Sequence, residues 1–266
     1  MTLDLWTAVQ LFGLGIISGT MSAVVGGSAV IVFPALIAMG LTPIEASITI
    51  LVSLMPSGFA AAFYDRSKLP AFDRSLLILV VISVVFAMVG AVLLLATPLA
   101  TFKLLVPVLL AFATFVFAQS ARIARAIERF GGGAEAAQDA PWRASTWGMI
   151  PVAVYTGYFG AGVGVMLLGI LSIGSRGDYR IANAVKNLLI GLNNIGATLV
   201  YTIGGAVLWP VSGIMICGTL LGAWIGVALA KIARRDILRV VIILIGCVLT
   251  LLYTYRFWIR PLVADY

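Results

Sequence analysis

Seven long stretches of the chain contain no Asp, Glu, Lys or Arg, and they limit its fold more than any other feature. They cover residues 5–40, 46–64, 75–102, 104–121, 146–174, 187–230 and 240–255. A helix needs about 20 apolar residues to cross a bilayer core, and most of these stretches reach that length. They lack the two-residue alternation of barrel strands. With 62% hydrophobic residues, the chain is predicted to be an all-α integral membrane protein.

The chain contains an internal repeat. Residues 18–26, "SGTMSAVVG", match residues 156–164, "TGYFGAGVG", at an offset of 138, and residues 102–117 match residues 238–253 at an offset of 136. Between the halves lies a charged, glycine-containing segment that is typical of a solvent-exposed connection. We therefore predict a first transmembrane repeat at 1–121, a cytoplasmic linker at 122–145 and a second transmembrane repeat at 146–266.

The distribution of the 17 basic residues predicts how the repeats cross the membrane. Each half has four apolar blocks, and if every block crossed once, the two faces would hold nine and eight basic residues. If the first block of each half instead enters and returns, the split becomes 14 to 3, as the positive-inside rule favours. This predicts an inverted-repeat helical bundle with a re-entrant or broken first helix in each half, an architecture used by secondary transporters. Arrangements with seven or eight full spans stay open.

The small residues of the repeated motif are predicted at the tips of these broken helices. A re-entrant turn exposes backbone N–H and C=O groups at membrane depth, and glycine permits both the turn and close approach to a ligand. The alternative is that these residues form close packing faces between ordinary helices. The candidate substrate-binding residues at the tips are Ser18, Gly19, Ser22, Gly26, Gly27, Ser28, Thr156, Gly157, Gly160, Gly162 and Gly164.

Helix N-termini inside the membrane are ready sites for an anion, because their N–H groups and positive dipole ends point at it. The hydroxyl groups near the tips would add donors, although each could instead bond its own helix backbone. Lys186 either supplies charge to the anion or extends to the membrane surface as an anchor. Together with Lys186, the candidate residues in the second apolar block of each half are Thr49, Ser53, Asn187, Asn193 and Asn194. In the second half, Lys186, Asn187, Asn193 and Asn194 recur at spacings of seven or eight residues, so they are predicted to lie roughly on one polar stripe of the helix. Glu45 is interpreted as a helix N-terminal acid, with proton coupling as the alternative.

The repeated motifs resemble a known family. "FPALIAMG" at 33–40, and "YTGYFGAGVGVMLL" at 155–168 followed by "ANAVKNLL" at 182–189, are similar to segments of the TauE/SafE family of sulfite exporters and sulfonate permeases. Ser22 and Val24 stand where that family usually has glycines. The resemblance implies transport of sulfite, or of a small organosulfonate such as sulfoacetate or a carboxylate, across a bacterial inner membrane.

These observations favour a secondary transporter of small anions, with no cofactor and no bound metal. A channel-like exporter driven by the membrane potential and a non-transporting membrane assembly module are the alternatives. An enzyme is disfavoured because the chain has no His and its apolar stretches hold no Asp or Glu. The expected partners are the small-molecule anion and the lipid bilayer, and not nucleic acid, because the basic residues lie in short loops. A coupling ion, proton or sodium, and a homodimer stay open.

Overall fold

The computed structural model describes residues 4–24, 27–130, 142–175, 178–229 and 235–259, and it contains only helices within these ranges. An all-α fold is therefore confirmed. A short 3₁₀ turn, Arg66–Lys68, follows the third helix and a π turn, Tyr255–Ile259, follows the last. The α-helices are α1 Leu5–Val24, α2 Ser28–Ala38, α3 Pro43–Tyr64, α4 Arg74–Ala96, α5 Leu99–Phe130, α6 Arg143–Tyr158, α7 Val163–Gly174, α8 Tyr179–Ile203, α9 Trp209–Leu229 and α10 Arg235–Thr254.

Six helical segments in the described ranges are long and apolar enough to cross a membrane: Leu5–Val24, Pro43–Tyr64, Arg74–Ala96, Leu99–Gln119, Trp209–Gly226 and Val240–Ile259. Helix α8 is 25 residues long, but its lysine, arginine and asparagines lower its hydropathy. It is nevertheless extensively buried, so protein rather than lipid surrounds its polar side chains. Helix α3 has the largest buried share of the six segments, 72%, which places it at the centre of the bundle.

The first block of each half is broken into a long and a short helix, as predicted. Helix α1 ends at Val24 and α2 begins at Ser28. Helix α6 ends at Tyr158 and α7 begins at Val163, and between them Gly160 and Gly162 have φ angles of +72° and +78°. Residues other than glycine rarely adopt this left-handed backbone conformation, so the two glycines account for the sharpness of the second break.

Polar side chains fix where the central helices begin. The Thr42 hydroxyl accepts a hydrogen bond from the Glu45 amide, while the Glu45 carboxylate accepts one from the Thr42 amide at 2.8 Å. This capping box starts α3 and confirms the interpretation of Glu45 as a helix N-terminal acid. Asp73 and Asp178 are the N-cap residues of α4 and α8, and their carboxylates accept hydrogen bonds from one and two backbone amides of the first turn, respectively.

Elements of the two halves pack against each other in matching pairs. Helix α1 lies along α9, and α6, its counterpart in the second half, lies along α4, the counterpart of α9. A Cβ added to Gly218 would press on the backbone of Phe12, and one added to Gly226 would press on Thr20, so α1 and α9 run in the same direction. Backbones come this close because glycines line the crossing.

The two counterparts α3 and α8 pack directly against each other and run antiparallel. The Asn183 amide, near the start of α8, donates to the Asp65 carboxylate at the end of α3, with 3.4 Å between nitrogen and oxygen. Gly58, in the second half of α3, meets Gly191 at the middle of α8. The two helices cross closely at these glycines, and each end of the pair combines the start of one helix with the end of the other.

Helix α5 and its counterpart α10 also pair in opposite directions. The Trp258 indole, just beyond α10, donates to the Leu104 carbonyl near the start of α5 at 3.1 Å. Gly246 contacts Thr114, which lies further along α5. Helix α5 continues beyond the uncharged stretch to Phe130, and α6 begins at Arg143. Residues 131–141 of the predicted linker lie outside the described residues, and the division into two repeats and a linker stays a prediction.

Candidate functional site

Residues at the two helix breaks and on the two central helices line one cavity. Its volume is about 30 Å³, which is room for about two water molecules. Six of the predicted site residues line it: Ser22, Ser28, Thr156, Gly160, Gly164 and Asn194. Helix α3 adds Leu51 and Leu54, and the remaining lining residues are Ala29, Val163 and Ile190. The cavity therefore joins both halves of the chain and combines four polar side chains with an apolar wall.

Two helix N-termini face this cavity. Ser28 begins α2 after its N-cap Gly27, and Val163 begins α7 after its N-cap Gly162. Neither N-cap residue makes a side-chain hydrogen bond to the helix it starts. The amides of Val30 and Val165 already donate to the carbonyls of the N-cap glycines at 3.3 and 3.1 Å. The first two residues of each helix line the cavity, so their N–H groups and both positive dipole ends are directed at the same small volume. This arrangement favours a negatively charged occupant.

Phe117 of α5 lies against both breaks and is fully buried. A Cβ added to Gly27 would collide with its ring, and one added to Gly162 would stand 3.5 Å from it. Gly27 is therefore required for close packing, whereas Gly162 is required for its left-handed backbone. Gly26 lies outside the described residues.

Four predicted hydroxyl donors behave in two different ways. Thr156 donates to the carbonyl of Val152 at 2.7 Å, and Ser53 donates to that of Ile50 at 2.9 Å. These are bonds to their own helices, as the alternative interpretation predicted. The hydroxyls of Ser18 and Thr49 are buried and have no hydrogen-bond partner within the described residues. Neither residue lines the cavity.

Gly19 and Gly157 occupy equivalent positions in the two halves, and each packs against a neighbouring helix. A Cβ on Gly19 would collide with the Thr219 carbonyl of α9, and one on Gly157 would collide with the Ala87 carbonyl of α4. The Tyr201 hydroxyl also donates to the Gly157 carbonyl. At these two positions the observed role is helix packing, the alternative that the sequence left open.

The Lys186 side chain is only 4% exposed. It does not line the cavity, and it donates to the Asn183 side-chain oxygen at 2.9 Å. The Asn183 nitrogen in turn donates to Asp65. Sequence reasoning missed Asn183 and Asp65. The spacing of three residues between Asn183 and Lys186, which places them on one helix face, was the available signal for the first.

The asparagines of α8 point in different directions. Asn194 lines the cavity, and Asn187 is buried beside α3, where its backbone carbonyl lies close to Gly58. Asn193 is fully buried and accepts a hydrogen bond from the Ser83 hydroxyl of α4 at 3.0 Å. Its side-chain nitrogen has no partner in the described part of the chain. Of the predicted polar stripe, only Asn194 therefore reaches the cavity.

Comparison with known proteins places the whole chain among membrane transporters. The family model described as "Sulfite exporter TauE/SafE" matches residues 11–253. A probable membrane transporter protein of Haemophilus influenzae is 23% identical over 92% of this chain and 93% of its own length. The Sinorhizobium protein named probable membrane transporter protein ORF9 is 27% identical, with coverages of 91% and 90%. Probable membrane transporter protein YfcA of Escherichia coli K12 is 24% identical, with coverages of 90% and 87%. No solved structure is significantly similar to the chain.

Proposed function

Because the chain belongs to the sulfite exporter TauE/SafE family, a family of membrane transporters, we propose that it is a secondary transporter of a small sulfur-containing or organic anion. Sulfite and organosulfonates such as sulfoacetate are the proposed substrates. The protein is a multi-pass membrane protein with apolar helices, and its relatives are bacterial. In bacteria, such a helical protein lies in the inner membrane. We assign it no catalytic step, since transport needs only binding and a change of access.

One observation carries the proposal: the N-termini of α2 and α7, one from each half, line the same cavity. Uncapped N–H groups can bind the oxygens of a sulfite, sulfonate or carboxylate without placing a full charge beside it, so the anion can also leave. The Asn194 amide and the Ser22 and Ser28 hydroxyls supply further hydrogen-bonding groups at the cavity wall. We propose these residues, with Gly160 and Gly164, as the substrate-binding residues.

The packing of counterparts supports alternating access as the mechanism. Helices α3 and α8 are equivalent in the repeat and run antiparallel, as do α5 and α10. Opposite directions for equivalent helices are what an inverted repeat requires. We propose that the two halves rock about the crossing of α3 and α8, so that the cavity opens to one face and then to the other. A cavity of about 30 Å³ must widen to admit a whole sulfonate, which favours such a motion over a permanently open channel.

Binding of anions to the purified protein tests the proposal. Detergent-purified wild type and Asn194→Leu are heated with sulfite, sulfate, thiosulfate, sulfoacetate, taurine, acetate or chloride. Thr202→Val is the matched control, because it removes a polar group from the same helix at an exposed position whose hydroxyl bonds its own backbone. An anion at 100 times its Kd stabilises the folded protein by about 2.7 kcal/mol. We expect this in wild type and in the control, and its loss in Asn194→Leu.

Two outcomes would contradict the proposal. If no anion raises the melting temperature of wild type, the cavity is not an anion site. If the stabilisation survives in Asn194→Leu undiminished, the anion binds elsewhere. Counterflow in proteoliposomes then separates a transporter from a channel, because only a carrier exchanges labelled for unlabelled anion against a gradient.

A further inference from the structure

We propose that Asp65 and Asn183 are positioning residues, which hold the Lys186 ammonium across the junction of α3 and α8 and thereby close one end of the cavity. This inference rests on the proposed function, because a closure matters only if the cavity carries a substrate. It assigns roles to Asp65, which lies outside the quoted motifs, and to Asn183, which lies in the family-like segment 182–189 but is not among the candidate site residues.

The three side chains form a continuous polar chain. The Lys186 ammonium donates to the Asn183 oxygen at 2.9 Å, and the Asn183 nitrogen donates to an Asp65 oxygen at 3.4 Å. The amide dipole is therefore aligned between the two charges, with its nitrogen bonded to the carboxylate and its oxygen bonded to the ammonium. A buried ammonium is costly without such compensation. Lys186 is buried whereas Asp65 is partly exposed, so the lysine depends on the aspartate more than the aspartate depends on the lysine.

The chain lies directly beyond the cavity on the same helix face. Lys186, Ile190 and Asn194 follow each other at intervals of four residues, and the last two line the cavity. The ammonium-bearing residue is therefore one helical turn, about 5.4 Å, beyond the wall. Side chains on a helix point towards its N-terminus, so Lys186 extends away from the cavity and towards Asn183. It lies between the cavity and the cytoplasmic end of the α3–α8 pair, and it does not line the cavity.

Among the described residues, the opposite end of the α3–α8 pair shows no such chain. At the repeat offset of 138, the counterparts of Asn183, Lys186 and Asp65 are Glu45, Ile48 and Ile203. The Glu45 carboxylate bonds the backbone at the start of its own helix, and Ile203 is exposed. The polar chain is therefore a feature of one end only and does not come from the repeat. The loop that follows Asp65 carries Arg66, Lys68 and Arg74, so by the positive-inside rule this end faces the cytoplasm.

A double-substitution cycle in the absence of any anion tests the link. Asp65→Asn keeps an acceptor for the Asn183 nitrogen and removes only the charge, and we expect it to lower the melting temperature by about 5 °C or more. Lys186→Met should cost less, because the remaining carboxylate is partly hydrated. The double variant should return to within about 2 °C of wild type, because it leaves no uncompensated charge. Additive losses would overturn the inference.

Labelling from one face tests the closure. In a background with Cys217→Ser and Cys247→Ser, a reporter cysteine at the cavity wall, Ala29→Cys, is exposed to a membrane-impermeant maleimide in inside-out vesicles. We expect labelling to rise several-fold in Asp65→Asn and also in the double variant, in which stability is restored. Asp178→Asn is the matched control, since this aspartate caps the same end of α8 without joining the chain, and it should leave labelling unchanged.

The outcomes of the two proposals are distinguishable. Unchanged labelling in the Asp65 variants, or an equal rise when the reagent is added to the opposite face, would overturn the closure even if anions bind. A confirmed cycle and one-sided labelling, together with a wild type that no anion stabilises, would support the closure and reject the proposed substrate class.

Discussion

Replacing Gly58 by alanine should force the two central helices apart. A Cβ at this position would lie 2.5 Å from the Gly191 nitrogen, 2.8 Å from the Gly191 Cα and 3.0 Å from the Asn187 carbonyl oxygen. Ordinary contacts begin at 3.4 Å, so the shortfall against the nitrogen is 3.4 minus 2.5, or 0.9 Å. All three neighbours are backbone atoms of α8. The strain therefore cannot be relieved by turning a side chain, and α3 and α8 must separate by about 1 Å where they cross.

The expected cost follows from two opposing effects. Alanine favours a helix over glycine by about 1 kcal/mol, whereas an extra methyl group in a packed interior costs about 1 to 3 kcal/mol. Gly13→Ala is the control for the first effect alone, because nothing lies within 4 Å of its added Cβ. The difference between the two variants isolates the packing cost. A packing cost of about 1 to 3 kcal/mol corresponds to a melting temperature about 2 to 12 °C lower for Gly58→Ala than for Gly13→Ala.

Thermal unfolding of both variants in detergent measures this difference, and Gly191→Ala provides a second comparison at the same crossing. The three atoms nearest to a Cβ on Gly191 would belong to the ring of Phe59, at 3.0 to 3.1 Å. Phe59 is partly exposed and can move, so this variant should lie between the other two. If Gly58→Ala melts at or above the temperature of Gly13→Ala, the crossing is not as tight as the backbone distances require, and the reasoning fails.

Three further variants test other contacts. Gly19→Ala should be at least as damaging as Gly58→Ala, because its Cβ would collide with the backbone of α9; a normal melting temperature and a monodisperse elution profile would contradict this. Tyr201→Phe removes the hydrogen bond to the Gly157 carbonyl and should cost about 0.5 to 1.5 kcal/mol in thermal unfolding, whereas no loss would mean that water replaces the bond. Hydrogen bonds to the Asp73 carboxylate, above all the one from Ser75, lower its pKa below the usual 3.8. The ionised Asp73 therefore stabilises the fold above pH 3.8, and this stabilisation is lost as the pH falls through the lowered pKa. Asp73→Asn should therefore flatten the acid limb of a pH series of melting temperatures, and an unchanged limb would contradict the assignment.

The sequence predicted the broken helices and the residues near the cavity because both depend on local chemistry. Gly160 and Gly162 adopt the left-handed backbone, a conformation that glycine permits whatever its neighbours are. The partner of each helix could not be predicted in this way. The packing of Gly19 against α9 depends on how the second half folds back on the first, and no spacing within α1 encodes it.

The polar stripe of α8 shows where one-dimensional reasoning stops. Residues seven or eight apart lie near each other on a helix, which suggested that Lys186, Asn193 and Asn194 share one face. Adjacent residues, however, differ by about 100° around the axis, so Asn193 and Asn194 point in different directions from the helix. The structure resolves the conflict: Asn194 faces the cavity, Asn193 bonds α4 through Ser83, and Lys186 extends along α8 to Asn183. The three residues therefore have different neighbours, and substitutions should affect anion binding at Asn194, helix packing at Asn193 and closure at Lys186. A loss of anion binding in all three variants would not by itself show that all three side chains contact the anion.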